Sequence, residues 1–226
     1  TASPSPTATT PAPATSTPLR PPTLTPQPTA TRPVDPSPIY LPIAYVPDRC
    51  KPSARPLDVA LVIDTSSSMT GAKLAAAGDA ARAFVELMHL PRDHAAVVTF
   101  DANVVVAQPL TGDRARVIAA LTGLTAGVGT RIDRGLEGGL AEVAGAGSRT
   151  SADGVIILLT DGQPEPGTES DAASTGALAR ELGVAVFAVG LGPDADRAAL
   201  ETIVGRADRV VMAPSESELR RIYERL

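Results

Sequence analysis

The chain has no tryptophan, three phenylalanines, three tyrosines, one cysteine and two histidines. A single cysteine excludes a disulfide framework within the chain and any cysteine-based zinc site. No run of 18 or more apolar residues is present, which excludes a transmembrane helix in this stretch. Positive charge is in deficit, 20 Lys and Arg against 25 Asp and Glu, for a net charge of −5. The deficit is uneven: residues 1–56 hold five basic and two acidic groups, and the remainder 15 and 23. An acidic domain without a basic stripe is poorly suited to nucleic acid or to an anionic membrane. There is no initiator methionine and no signal-peptide pattern, so we expect a processed piece of a longer protein.

Proline, by contrast, is abundant and clustered: 12 of the 22 fall in the first 38 residues, where Pro, Ser and Thr fill 26 positions. Such a segment has too little apolar surface to offset the entropy of ordering. Residues 1–38 are therefore expected to be a disordered stalk, often O-glycosylated in chains of this composition, or an interdomain linker. Residues 39–56 (IYLPIAYVPDRCKPSARP) are too short and proline-interrupted to span a membrane and suggest an extended strap. Cys50 within it either bridges to a cysteine elsewhere or is an exposed thiol. The globular domain is assigned to 57–226.

That domain alternates strands and helices. LDVALVID (57–64) is a near-continuous apolar run, the pattern of a parallel strand buried on both faces. An Ala-rich helical pattern spans 70–89, followed by strand 94–100, a hairpin signal at 101–103 and an edge strand at 104–110. Further helices are predicted at 113–121, 131–145, 171–182 and 194–204, and further strands at 154–161, 184–191 and 208–213. A final helix within 215–226 opens with a Ser215/Glu218 capping box. Repeated βα units imply an α/β fold: a doubly wound, mostly parallel six-stranded sheet with one short antiparallel edge strand and helices on both faces.

In such folds the ligand site lies beyond the carboxyl ends of the strands. Three clusters meet that condition: Asp64 to Met69 (DTSSSM), Gly127 to Thr130 (GVGT) and Thr160 to Pro164 (TDGQP). Together they offer two carboxylates and several hydroxyls, an oxygen set suited to a hard divalent cation such as Mg²⁺, Mn²⁺ or Ca²⁺. The i, i+2, i+4 spacing of Asp64, Ser66 and Ser68 lets an irregular loop turn all three inward. Gly127 and Gly129 would allow the Thr130 loop to approach closely. Asp161 would face Asp64, and two such carboxylates repel unless a cation lies between them.

These three motifs, in order, resemble the metal-ion-dependent adhesion site (MIDAS) of the von Willebrand factor type A domain, D-x-S-x-S followed by a distant Thr and a distant Asp. The resemblance extends over 57–226 and is closest to bacterial exported members. It implies a Rossmann-like fold in which Ser66 and Ser68 ligate the metal directly and Thr130 does so in the ligand-bound state. Asp64 and Asp161 would act mainly through water, leaving one position for a carboxylate of a partner. Arg131 departs from the small or polar residues common there, placing a cation at the rim that could pair with an acidic ligand or with Glu165.

Enzyme readings lack their residues. A haloacid dehalogenase-type phosphatase needs an acid where Ser66 stands. A serine hydrolase needs G-x-S-x-G or a nearby histidine, and His89 and His94 flank the start of the second strand, at the far end of the sheet. Neither G-x-G-x-x-G nor G-x-x-x-x-G-K occurs. The expectation is a non-enzymatic, extracellular, metal-dependent protein-binding module of adhesion type, most simply with Mg²⁺, whose protein partner presents an Asp or Glu. The alternative is a type A subunit assisting a metal-insertion or ATPase complex.

Overall fold

The computed structural model describes residues 55–215 and residue 218. The expectations for 1–38, for most of the strap including Cys50, and for most of the terminal helix concern residues outside that set. The elements run β1 (Leu57–Asp64), α1 (Ala72–Leu87), β2 (His94–Phe100), β3 (Val104–Thr111), α2 (Arg114–Ala120) and α3 (Ile132–Ala144). They continue with β4 (Asp153–Thr160), α4 (Glu169–Glu181), β5 (Ala185–Leu191), α5 (Arg197–Val204) and β6 (Val210–Ala213). The sheet order is β3-β2-β1-β4-β5-β6, with every pairing parallel except β2 to β3.

β1 shows why its sequence carries no alternation. Val59, Leu61 and Ile63 join α1 and α2 in one core, while Ala60 and Val62 join α3, α4 and α5 in the other. Both faces being covered, the central positions from Val59 to Ile63 are all apolar, and each fully buried Val, Leu or Ile contributes about 2 kcal/mol. The predicted edge strand is also observed. β3 is only partly buried, with Val105 57% and Val106 39% exposed, and its ladder with β2 is broken by register shifts around Val97.

Several boundaries move, each for a local reason. α5 starts at Arg197 rather than 194, because the Asp196 carboxylate accepts from the N–H groups of Ala198 and Ala199 at 2.9 and 3.1 Å and so caps the helix. β6 starts at Val210 because Ala207–Arg209 form a 3-10 turn, with Arg206 paired to Asp208 at 2.8 Å. β4 ends at Thr160, which leaves Asp161 as the first residue beyond the sheet.

The amino end of the sheet is closed by a buried ion pair. Asp58, 1% exposed, accepts from Arg149 Nε at 2.8 Å and Nη2 at 2.5 Å, and from the Arg149 backbone N–H at 3.0 Å. The same guanidinium donates to the carbonyls of Arg92 and Leu57 at 2.8 and 3.0 Å, joining three segments. His94 begins β2 at this end, half-buried, and burial together with the Arg149 charge holds its pKa below the ordinary value.

Candidate metal centre

Chain direction puts the site at the opposite end. β1 leads to β2 and β3 on one side, then the chain returns through α3 to β4 on β1's other side. The crevice between the ends of β1 and β4 is therefore the switch point where α/β sheets hold ligands. Asp64 closes β1 and Asp161 follows β4, and both are fully buried.

Asp64 is held on both oxygens. The Ser66 N–H donates to Oδ1 at 2.7 Å, and the Thr160 hydroxyl to Oδ2 at 2.5 Å. Ser66 then caps a short 3-10 turn over Ser67–Met69, which brings Ser68 back so that the two Oγ atoms lie 3.0 Å apart. The Ser68 hydroxyl donates to Asp161 Oδ1 at 2.7 Å. A continuous hydrogen-bonded chain thus runs Asp64, Ser66, Ser68, Asp161. Burial pushes the Asp64 carboxyl above its ordinary 3.8, the Asp161 charge adds to the rise, and the bonds from Ser66 and Thr160 oppose it.

The Thr130 loop is fastened to the same end. Its Gly127 N–H donates to the Thr65 carbonyl at 2.7 Å, and its Val128 carbonyl accepts from Ala102 N–H at 2.7 Å. The glycines are required as expected, but against the hairpin between β2 and β3. A Cβ at Gly127 would lie 1.9 Å from Asp101 Oδ2, and Gly129 has φ +86° with Ala102 2.9 Å from its would-be Cβ. Thr130 accepts from the Glu165 N–H at 3.1 Å, and its methyl lies 3.7 Å from where a Cβ on Gly162 would stand. Four of the five expected residues are thus directly bonded to one another, and Thr130 abuts the residue after Asp161.

Two features differ from expectation. Arg131 does not pair with Glu165; it makes a bidentate pair with Asp133, at 2.9 and 2.6 Å. Asp133 is 3% exposed, and a buried carboxylate needs a partner more than a rim does. The guanidinium accordingly holds the Asp133 carboxyl below the ordinary range. Lys73 went unnoticed in the sequence, yet its Nζ lies 2.5 Å from Asp161 Oδ2, with the side chain 25% exposed. The available signal was a cation in the first turn of a helix, where the helix dipole disfavours one.

Among the described residues no group of three or more His, Cys, Asp or Glu side chains assembles in a metal-binding arrangement. The donor set here is two carboxylates and a ring of hydroxyls, which suits a cation that accepts neutral oxygen ligands. The family model for the von Willebrand factor type A domain matches residues 58–225. The chain belongs to the von Willebrand factor type A family. An uncharacterised Synechocystis protein is 31% identical over 179 residues, covering 76% of this chain and 42% of that protein. Among solved structures, proximal thread matrix protein 1 of the mussel byssus, with a zinc-occupied MIDAS motif, is 26% identical, with a TM-score of 0.67. That match covers 76% of this chain and 44% of the byssus protein. The von Willebrand domain of the type V pilus tip protein Mfa5 from Porphyromonas gingivalis matches at 17% identity and a TM-score of 0.64, over 76% of this chain and 93% of that one. This chain thus spans less than half of the cyanobacterial and byssus relatives. No helix among the described residues of the type A domain is long and apolar enough to cross a membrane.

The raised Asp64 pKa gives a pH signature. The unfolded chain ionises this carboxyl near 3.8 and the folded type A domain only at higher pH. Stability associated with the protonated group is thus complete below 3.8 and lost as pH rises through the folded value. In chelator, wild-type protein should therefore lose Tm relative to Asp64→Asn as pH rises from about 4 to 7, because Asn carries no charge to desolvate. Parallel Tm profiles for the two proteins would contradict this.

Proposed function

We propose that the type A domain is a metal-dependent protein-binding module in which Asp64, Ser66, Ser68, Thr130 and Asp161 hold one divalent cation. The observation that carries the reading is the bonded chain from Asp64 through both serines to Asp161 at the switch point. Ser66 and Ser68 supply neutral hydroxyls, Thr130 a third when a partner is bound, and the two carboxylates the anchoring charge. A dication ligated mainly by neutral groups stays electrophilic, so its remaining position accepts an Asp or Glu from the partner. Mg²⁺ is the ion we favour, with Mn²⁺ and Ca²⁺ as close substitutes; the byssus relative carries zinc at its motif. The domain is read as a binding module, not an enzyme, because the position of Ser66 offers no proton donor and both histidines belong to the far end of the sheet. The pilus and byssus relatives, together with the Pro/Thr-rich residues 1–38, support display outside a bacterial cell on a stalk.

Thermal unfolding tests the metal directly. At a Mg²⁺ concentration about 100 times Kd, binding should add about 2.7 kcal/mol, which raises Tm by roughly 5–10 °C for a domain of this size. Identical melting curves in chelator and in Mg²⁺, Mn²⁺ or Ca²⁺ would refute the site. The alternative, service to an intracellular ATPase or metal-insertion complex, would be favoured by capture of such a complex irrespective of chelator.

A further inference from the structure

Lys73 stands out among the charged groups. It lies in the first turn of α1, the end of a helix where a positive charge is opposed by the dipole. Its stem passes beside Gly192, the residue after β5, with Cε 3.8 Å from where a Cβ there would begin. The side chain thereby reaches from α1 to the carboxylate that follows β4. At its tip Nζ meets Asp161 Oδ2 at 2.5 Å, while Ser68 holds Oδ1 of the same carboxylate at 2.7 Å. Of the two fully buried carboxylates, Asp161 carries this tethered ammonium, and Asp64 is bonded by Ser66 and Thr160 instead.

We infer that Lys73 is a built-in counter-ion that competes with the divalent cation for Asp161, lowering metal affinity while stabilising the metal-free domain. The inference rests on the metal-site reading above and names a regulator of that site. Its physical basis is charge. Without Lys73 the buried Asp161 charge would lose its ion-pair partner while still facing Asp64, which buried charges tolerate poorly. With Lys73 in place, any dication must be bound against a positive charge already bonded to one of its anchoring groups. The side chain is a quarter exposed, so the ammonium can give way toward solvent by rotating its flexible stem. The site is thereby adjusted to bind metal only where the ion is plentiful, and the empty domain stays folded.

The test is Lys73→Met beside Lys73→Arg, each measured by Mg²⁺ titration calorimetry and by thermal melts in chelator. Lys73→Met should bind Mg²⁺ about tenfold or more tightly, a change of about 1.4 kcal/mol, and melt at lower temperature than wild type in chelator. The gap between its chelator and Mg²⁺ melting temperatures should widen accordingly. Lys73→Arg keeps the charge and should resemble wild type in chelator. Lys73→Gln removes the charge but keeps a donor to Asp161, and it must show the same gain in affinity if Lys73→Met folds poorly. Mg²⁺ affinity unchanged or weakened in both neutral variants, with wild type binding normally, overturns the counter-ion role and leaves the metal site standing. No binding by wild type or any variant removes the metal site itself, and this inference with it.

Discussion

Asp161→Ala should weaken divalent-cation binding by about 100-fold and take partner binding down with it. The carboxylate is fully buried and receives Ser68 on one oxygen and Lys73 on the other. Removing it takes away half of the anchoring negative charge and leaves the Lys73 ammonium facing the site without its carboxylate. Losing an anchoring or outer-shell group of a metal site typically weakens affinity by about 10- to 100-fold, and the exposed repulsion of Lys73 should place this variant at the upper end. Thr130→Ala is the contrasting case. It removes one neutral hydroxyl from a loop whose fastening depends on backbone bonds, so metal should still bind while the partner is held more weakly. Metal and partner affinities measured separately for the two variants decide the matter. If Asp161→Ala still captures the partner in chelator, the interaction surface lies elsewhere.

The largest loss of stability is expected from the other end of the sheet, in Arg149→Ala. Its guanidinium makes two bonds to Asp58 and one each to the Leu57 and Arg92 carbonyls. Asp58 is 1% exposed, so deleting its partner leaves a buried charge with only the backbone N–H of residue 149 to satisfy it. Breaking a buried pair on one side typically costs about 3–5 kcal/mol. For a domain of this size that corresponds to a fall in Tm of roughly 6–20 °C. Because the pair is remote from Asp64 and Asp161, Mg²⁺ affinity at a temperature where the variant is folded should match wild type. A Tm within about 2 °C of wild type would show that Asp58 finds another partner or water.

The sequence displayed the fold well where burial fixed the pattern. β1 and β4 are rich in Val, Ile and Leu because helices cover both faces, and the edge position of β3 was visible in Pro109, which a central strand does not tolerate. Helix starts were less legible, since a carboxylate such as Asp196 can be the first helical residue or the cap before it. At the site, Asp64, Ser66 and Ser68 are local in sequence, and their spacing alone suggests a shared focus. The role of Lys73 was hidden because it depends on a side chain spanning 88 positions of sequence to Asp161. Arg131 misled for the opposite reason. Its partner Asp133 lies only two residues away, and the turn into α3 that joins them does not show as a pattern.

The position of β1 has a mechanical consequence. Its first residue, Leu57, lies at the end of the sheet where the upstream chain enters, and its last, Asp64, lies in the candidate metal centre. The strand's rise of about 3.3 Å per residue separates these two points by roughly 23 Å. Tension between the upstream chain and a partner gripped at the site would run lengthwise along this one strand. β1 is laddered on both sides, to β2 and β4. Such a load shears both ladders at once instead of unzipping them bond by bond, so the strand that delivers Asp64 is also the one placed to resist traction.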